Sequence, residues 1–356
     1  MKDLFVDANF PRTLDERVYH LGVKAGEVAN RIVTVGAVSR AQHIAKFLDE
    51  KPKPFVLSTE RGFLTITGRY NGIPVSIVSI GMGSPNVDFF VREVRECLSG
   101  DLVVVRLGSC GALINVKVGT VVVPSGSIAV NRNYDYDFVN GSLPNEQPYR
   151  FSRRVNVDAE LQSAVRSALE KTQPPTIQTD ILANTLNAST DSFYSSQGRI
   201  TSFPDRNENI IEELKTSYPD LATFEMETYH LLHLAVSWPT HMARPISKSP
   251  PPISSRPASL SISEPELPSH QAHQHAPSDV AQTATDGHVL VPQPVMRAAA
   301  AQMVFAARGS RDFITPEHVE ALEDWCARAM LEALTSFKID LERLQPEIGS
   351  VWELKV

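Results

Sequence analysis

The chain predicts an α/β fold: one domain with a central mixed β-sheet flanked by helices, interrupted by a disordered Pro/Ser-rich insert. Three observations carry this. Up to about residue 235, short β-branched runs alternate with amphipathic stretches, the pattern of strands and helices taken in turn. One run, Asp101 to Leu107, is continuous and Val-rich, as a strand covered on both faces requires. Beyond Ser237 the alternation stops, and it returns only at Val295.

In order, Ile32 to Val35 is a short apolar strand ending at Gly36. Ser39 to Glu50 reads as a helix with Ile44, Phe47 and Leu48 on one face. Phe63 to Tyr70 and Ile73 to Ile80 make a hairpin about Asn71-Gly72, because Asn-Gly favours the tight turn that matches strand twist. Pro85 to Leu98 is helical, with Ser84 as N-cap and Pro85 in the first turn. Strands follow at Asp101 to Leu107 and Val116 to Val123. Asp158 to Lys171 reads as helix and Thr176 to Ala183 as strand. Asn207 to Ser217 and Glu225 to Ala235 read as helices.

Residues 237–294 contain 11 of the 25 prolines and five of the ten histidines. Too little apolar surface is available there to offset the entropy of ordering, so the segment is expected to be disordered. Its histidines at 270, 273 and 275 mimic a metal tract, but such spacing is incidental in so biased a composition. Val295 to Ala306 is again a strand. Thr315 caps a helix that opens with Pro316 and runs to about Phe337, with Val319, Leu322, Ala327, Met330, Leu331 and Leu334 facing the core. The domain is thus 1–236 together with 295–337, with 237–294 as insert and 338–356 as a C-terminal tail.

A chain of 356 residues, 42% hydrophobic and 21% charged, suits a soluble globular protein. A net charge of -7 argues against a nucleic-acid partner. No apolar run reaches membrane-spanning length, and Met1 to Pro11 has no stretch of signal-peptide type. The three cysteines, Cys97, Cys110 and Cys326, are too scattered for a disulfide framework or a zinc site. The expectation is a cytoplasmic protein with no metal, no nucleic acid and no membrane partner.

Chemistry concentrates in a few short motifs. Gln197 and Arg199 are spaced i, i+2, which on an extended segment puts both on one face. A Gln amide and an Arg fork can read a planar ring edged with carbonyls and an N–H, such as a pyrimidine. Glu225 and Glu227 share the same spacing, and paired carboxylates suit a vicinal diol. Gly36 to Arg40 closes a strand and opens a helix, offering bare backbone N–H groups and then a cation. Arg106-Leu107-Gly108-Ser109-Cys110-Gly111 ends the Val-rich strand with a guanidinium, a hydroxyl and two glycines. Arg61 sits between two predicted strands. Phosphate is the natural guest for arginines and a hydroxyl at strand ends. Taken alone, each motif is commonplace; His20 alone reads as a surface residue and His318 as a first-turn helix residue.

Their joint order is specific. The chain resembles the uridine phosphorylase branch of the nucleoside phosphorylases. Matching stretches are Tyr19-His20-Leu21-Gly22, Val35 to Arg40, Thr59-Glu60-Arg61-Gly62-Phe63, Ser79 to Pro85, Arg106 to Gly111, Ser192-Phe193-Tyr194 through Gln197-Gly198-Arg199, and Phe224-Glu225-Met226-Glu227. They cover roughly residues 18 to 236, and the resemblance resumes over 295 to 336. It implies a nucleoside phosphorylase-like fold and a pentosyltransferase, with Gly36, Arg40, Arg106 and Ser109 cradling phosphate. It implies that Phe193, Gln197 and Arg199 hold the base, and that Glu225, Met226 and Glu227 floor the ribose. Arg61 and His20 would reach the phosphate and the ribose of a neighbouring subunit, in a homo-oligomer that is a dimer or a hexamer built of dimers.

The implied reaction converts uridine and phosphate to uracil and ribose 1-phosphate, with phosphate as co-substrate and no cofactor. Arg199, Gln197, Glu227 and Arg106 would carry the catalysis. Ser109 stands where the family usually has Thr and keeps the hydroxyl. Ala37 replaces an acidic residue usual in the phosphate loop. Gly62 replaces a glutamate associated with a potassium ion, so no metal is expected. Purine-specific relatives keep an acid after the late strand. Here Val304-Phe305-Ala306-Ala307-Arg308 has none, which favours a pyrimidine. The alternatives are a purine-type phosphorylase or hydrolase, or a catalytically silent nucleoside-binding module.

Overall fold

The computed structural model describes residues 4–141, 146–238 and 293–354. The predicted insert therefore lies outside the described residues except for its flanks. Those flanks meet: Trp238 Nε1 donates to Pro294 O at 3.0 Å, and the residues on both sides belong to one compact unit.

A single mixed sheet organises that unit. Its central path runs Tyr149–Phe151, Gly126–Arg132, Leu186–Thr190, Leu221–Glu225, Leu102–Ala112, Arg31–Val35, Ile73–Ser79, Leu64–Tyr70, Phe55–Ser58. The hairpin is as expected, with Tyr70 opposite Ile73 and positive φ at both Asn71 and Gly72. Helices Val38–Ala45, Ala159–Thr172 and Pro316–Ser336 pack on one face of the sheet, and Ser84–Cys97 and Thr228–Ser237 pack on the other. The Val-rich strand shows why its run is unbroken. Val103, Val105 and Leu107 enter one core while Leu102 and Val104 enter the other. Each side chain so buried contributes about 1.5–3 kcal/mol.

Several boundaries differ from the sequence expectation. The strand predicted over Asp101–Leu107 continues to Ala112, so Ser109 lies within it, as Arg106 does, and not beyond its end. The Met296–Ala307 strand pairs with it in parallel along the whole length and holds the Gly-containing half extended. Glu225 ends the Leu221–Glu225 strand, and helix begins only at Thr228. Gly83, not Ser84, is the cap of the helix Ser84–Cys97. The first helix stops at Ala45, the fourth starts at Ile210, and the strands expected from Val116 and Thr176 shrink to Val121–Val123 and Ile181–Ala183. Strands Gly126–Arg132, Leu186–Thr190 and Leu221–Glu225 went unrecognised because Ser, Asn, Thr and Gly interrupt their apolar pattern.

The predicted C-terminal tail packs back on the unit. Arg343 donates to both oxygens of Asp101 at 2.7 and 2.6 Å. Trp352 is 1% exposed, and its carbonyl accepts from Arg69 Nε at 2.9 Å.

One irregularity of the sheet positions the site. On one edge of the Leu102–Ala112 strand, pairing with Arg31–Val35 ends at Thr34 opposite Arg106. Pairing on that edge resumes only at Gly111 opposite Phe224, with an antiparallel strand. Between them the edge of Leu107 to Cys110 has no strand against it among the described residues, and the sheet parts.

Candidate active site

A cavity of about 470 Å³ opens at that parting. The size suits a nucleoside-scale ligand. Gly36 and Arg40 reach it from the first strand and helix, and Arg106 and Ser109 from the Val-rich strand. Glu225, Met226 and Glu227 come from the junction after Phe224, while Phe193, Gln197 and Arg199 come from the loop after Thr190. Ten positions singled out from sequence thus line one cavity, from segments separated by up to 191 residues.

Arg106 is 4% exposed and lies between the two carboxylates. Its Nη2 pairs with Glu227 Oε2, and its Nε lies 3.6 Å from Glu225 Oε2. Nε and Nη1 have no hydrogen-bond partner among the described residues. A buried guanidinium with unpaired donors is costly unless an anion completes it. Arg40 is 7% exposed, donates Nε to Glu323 Oε1 at 2.6 Å and reaches Leu107 O at 3.5 Å, where the sheet parts. This end of the cavity gathers two guanidiniums, the Ser109 hydroxyl and the uncapped start of helix Val38–Ala45.

The two glutamates divide the work. Glu225 was expected to bind a diol, yet its oxygens already accept five bonds. These come from Asn187 Nδ2 at 2.8 Å, Ser189 Oγ, and Glu227 N, Thr228 N and Thr228 Oγ1 at 2.9 Å each. A carboxylate has about four lone-pair sites, so no capacity remains for a ligand hydroxyl. Glu225 instead ties the strand end to the first N–H groups of helix Thr228–Ser237. Glu227 accepts from Arg106 and from Gly83 N at 2.6 Å. Burial pushes its carboxyl above the ordinary value, and Arg106 pulls against that shift.

At the other end, Gln197 and Arg199 do not lie on an extended segment. The chain turns there: Gly198 N donates to Ser195 O at 3.2 Å and Arg199 N to Tyr194 O at 2.9 Å. Gly198 has φ +63, and a Cβ on it would meet Ile210 Cγ2 at 2.8 Å, so the turn demands glycine. The turn still delivers both side chains to the cavity. Gln197 is 2% exposed; its Nε2 donates to Thr190 Oγ1 at 2.9 Å and its Oε1 accepts from Arg199 Nη1. Arg199 also donates to Phe193 O at 2.7 Å and lies 3.7 Å from the centroid of the Phe193 ring. Burial, and then the nearby Arg308 charge, bring Arg199 down to about 10.

His20 and Arg61 are not among the cavity residues of this chain. His20 Nδ1 lies 2.6 Å from Glu93 Oε1, and its ring stacks on Phe89 at 3.8 Å. Arg61 lies over the adjacent Tyr19 ring at 4.0 Å. The two form a neighbouring cluster, joined through Tyr19.

Sequence reasoning missed several walls. Phe224, Phe305 and Phe313 line the cavity, as do Gly81 and Met82. Phe305 and Phe313 come from beyond residue 292, and nothing local marks them as site residues. Arg308, read earlier only as the absence of an acid, donates to Gln197 O at 2.8 Å and Gly198 O at 3.3 Å and so holds the turn.

The model of the phosphorylase superfamily matches residues 30–237. A uridine phosphorylase from Thermococcus kodakarensis is 28% identical over 239 residues, covering 66% of this chain and 78% of that protein. A DeoD-type purine nucleoside phosphorylase from Oceanobacillus iheyensis is 36% identical over 109 residues, 30% of this chain and 45% of its own. A solved structure from a study of two uridine phosphorylases of the oomycete Phytophthora capsici superposes with TM-score 0.74 at 35% identity, over 94% of this chain and 100% of that one. A Trypanosoma brucei nucleoside phosphorylase shares the fold, with TM-score 0.64 at 17% identity over 92% of this chain and 100% of its own. No described helix is long and apolar enough to cross a membrane. The chain belongs to the phosphorylase superfamily and is a uridine phosphorylase-like pentosyltransferase.

Proposed function

We propose that this protein catalyses the reversible phosphorolysis of uridine to uracil and ribose 1-phosphate. One observation carries the reading. A single cavity is lined by a buried guanidinium with donors that no described group hydrogen-bonds, a carboxylate beside it, and an amide–guanidinium pair. That set suits phosphate, ribose and base. Phosphate held by Arg106, Arg40 and Ser109 attacks C1′. The C1′–N1 bond breaks, and its electron pair passes to uracil. Arg199 and Gln197 stabilise the charge spreading onto the uracil carbonyls, as preorganised donors do at an oxyanion. Glu227 accepts from the ribose hydroxyls, and the Phe193 ring packs on the base. Much of the acceleration comes from positioning two reactants that would otherwise meet by diffusion. No cofactor takes part.

The DeoD-type match raises a purine reading. Against it, the carboxylates that line the cavity are Glu225 and Glu227, both beside Arg106, and Ala306 and Arg308 stand near the Gln197 turn. Among the described residues, no acid lines that part of the cavity to protonate a purine leaving group. His20 and Arg61, clustered outside this chain's own cavity, fit a role in a second subunit's site, so the active form is a homo-oligomer. The test follows uracil release from uridine, with and without phosphate, and hypoxanthine release from inosine. Phosphate-dependent uracil release is expected. Release without phosphate indicates a hydrolase, release from inosine alone a purine enzyme, and no release a binding module.

A further inference from the structure

We propose that Glu323 is a positioning residue for phosphate, acting through Arg40. The inference rests on reading the Arg106–Arg40 end of the cavity as the phosphate site.

Arg40 is the third residue of helix Val38–Ala45 and 7% exposed. Three contacts set its guanidinium. Nε donates to Glu323 Oε1 at 2.6 Å, Nη1 reaches Leu107 O at 3.5 Å, and the Phe305 ring centroid lies 5.6 Å from Cζ. The Glu323 bond is the short one of the three. It engages the Nε edge of the planar fork and leaves Nη2 without a hydrogen bond among the described residues. The free edge belongs to a residue that lines the cavity. An arginine side chain has four rotatable bonds, and holding one edge of the fork fixes the direction of the other.

The Glu323 side chain is 16% exposed, and its one hydrogen bond among the described residues is to Arg40. Two bland roles fit it poorly. As a helix-to-helix clamp it is redundant, because His43, one turn along from Arg40, already pairs with Asp324 on the same partner helix, Pro316–Ser336. As an electrostatic aid to anion binding it has the wrong sign, since a carboxylate beside a phosphate site repels the guest. Orientation of Arg40 is the function that its geometry serves and that justifies the adverse charge. Arg106 is held in the same way by Glu227, so both guanidiniums assigned to phosphate have a carboxylate that aims them.

The test compares the full-length wild type with Glu323→Ala, Glu323→Gln and, for the helix seam, Asp324→Asn. Steady-state KM for phosphate and for uridine are measured separately, with melting temperatures alongside. Glu323→Ala should raise the phosphate KM about 10- to 100-fold, the cost of a misplaced binding group, and leave the uridine KM within about twofold. Glu323→Gln keeps an acceptor at the same place and should restore most of the loss. Asp324→Asn should leave both KM values unchanged. A phosphate KM that is unchanged or lower in both Glu323 variants overturns the proposal. So does a parallel rise in both KM values. Wild type with phosphate-dependent uracil release but flat variants refutes the Glu323 role alone. Wild type with no phosphate-dependent release refutes the phosphate site and the Glu323 role together.

Discussion

At one end of the cavity Arg106 leaves a central strand, 4% exposed, with Nε and Nη1 unpaired. At the other, Arg199 leaves a turn, half-buried, and its guanidinium already donates to Gln197 Oε1 and Phe193 O while stacking on the Phe193 ring. The strand end is held by the sheet on one side and by buried carboxylates on the other, so its donors stand ready. The turn end satisfies itself, and a base entering there competes with bonds already made. Preorganisation at the first end comes with dependence on folding, since the same residues pin the core. Independence from the core at the second end comes with rearrangement on binding.

Four substitutions probe that contrast. Arg106→Met removes the anion donors and strands the buried Glu227 carboxylate. Turnover should fall by about 10²–10³ or more, and stability by about 3–5 kcal/mol, read by progress curves and denaturant titration. A loss of activity without loss of stability would break the proposed coupling at this end. Arg199→Ala should cost about 10²–10³ in kcat/KM with a stability change within about 0.5 kcal/mol. Near-normal turnover would refute its base-reading role. Phe193→Ala removes a 47%-exposed ring and should raise the uridine KM about 2- to 10-fold while leaving the phosphate KM alone; equal effects on both substrates would argue that the ring supports the fold and not the base.

The smallest effect lies in pH dependence. Glu227 titrates above its ordinary value of 4.5 because it is buried. In the folded state it therefore keeps a proton that the unfolded chain has already released. Its contribution to stability is complete below pH 4.5 and is lost as pH rises through the raised value. Glu227→Gln lacks this titration. The melting temperature of wild type relative to the variant should thus fall as pH rises from 4.5. A relative increase over that window would mean that the Arg106 attraction outweighs burial.

The sequence alone carried the α/β class, because alternation of β-branched runs with amphipathic stretches is a local consequence of side-chain period. It also carried the hairpin at Asn71-Gly72 and the Thr315-Pro316 helix start, where the chemistry of two residues suffices. The ordered set of Gly36, Arg40, Arg106, Ser109, Phe193, Gln197, Arg199 and Glu225 to Glu227 was likewise legible as motifs.

Only the tertiary structure decided what each member does. Saturation of Glu225 by Asn187, Ser189 and Thr228 depends on two strands and a helix start meeting, which no spacing along one segment reveals. The parting of the sheet at Leu107 to Cys110 depends on which strands share an edge. The hold of Glu323 on Arg40 links residues 283 positions apart, Phe305 reaches Arg40 across a similar separation, and Arg308 reaches Gln197 across 111 positions. Periodicity and capping are properties of neighbours in the chain. Hydrogen-bond saturation, burial and the aim of a guanidinium are properties of neighbours in space, and those exist only once the sheet has brought the segments together.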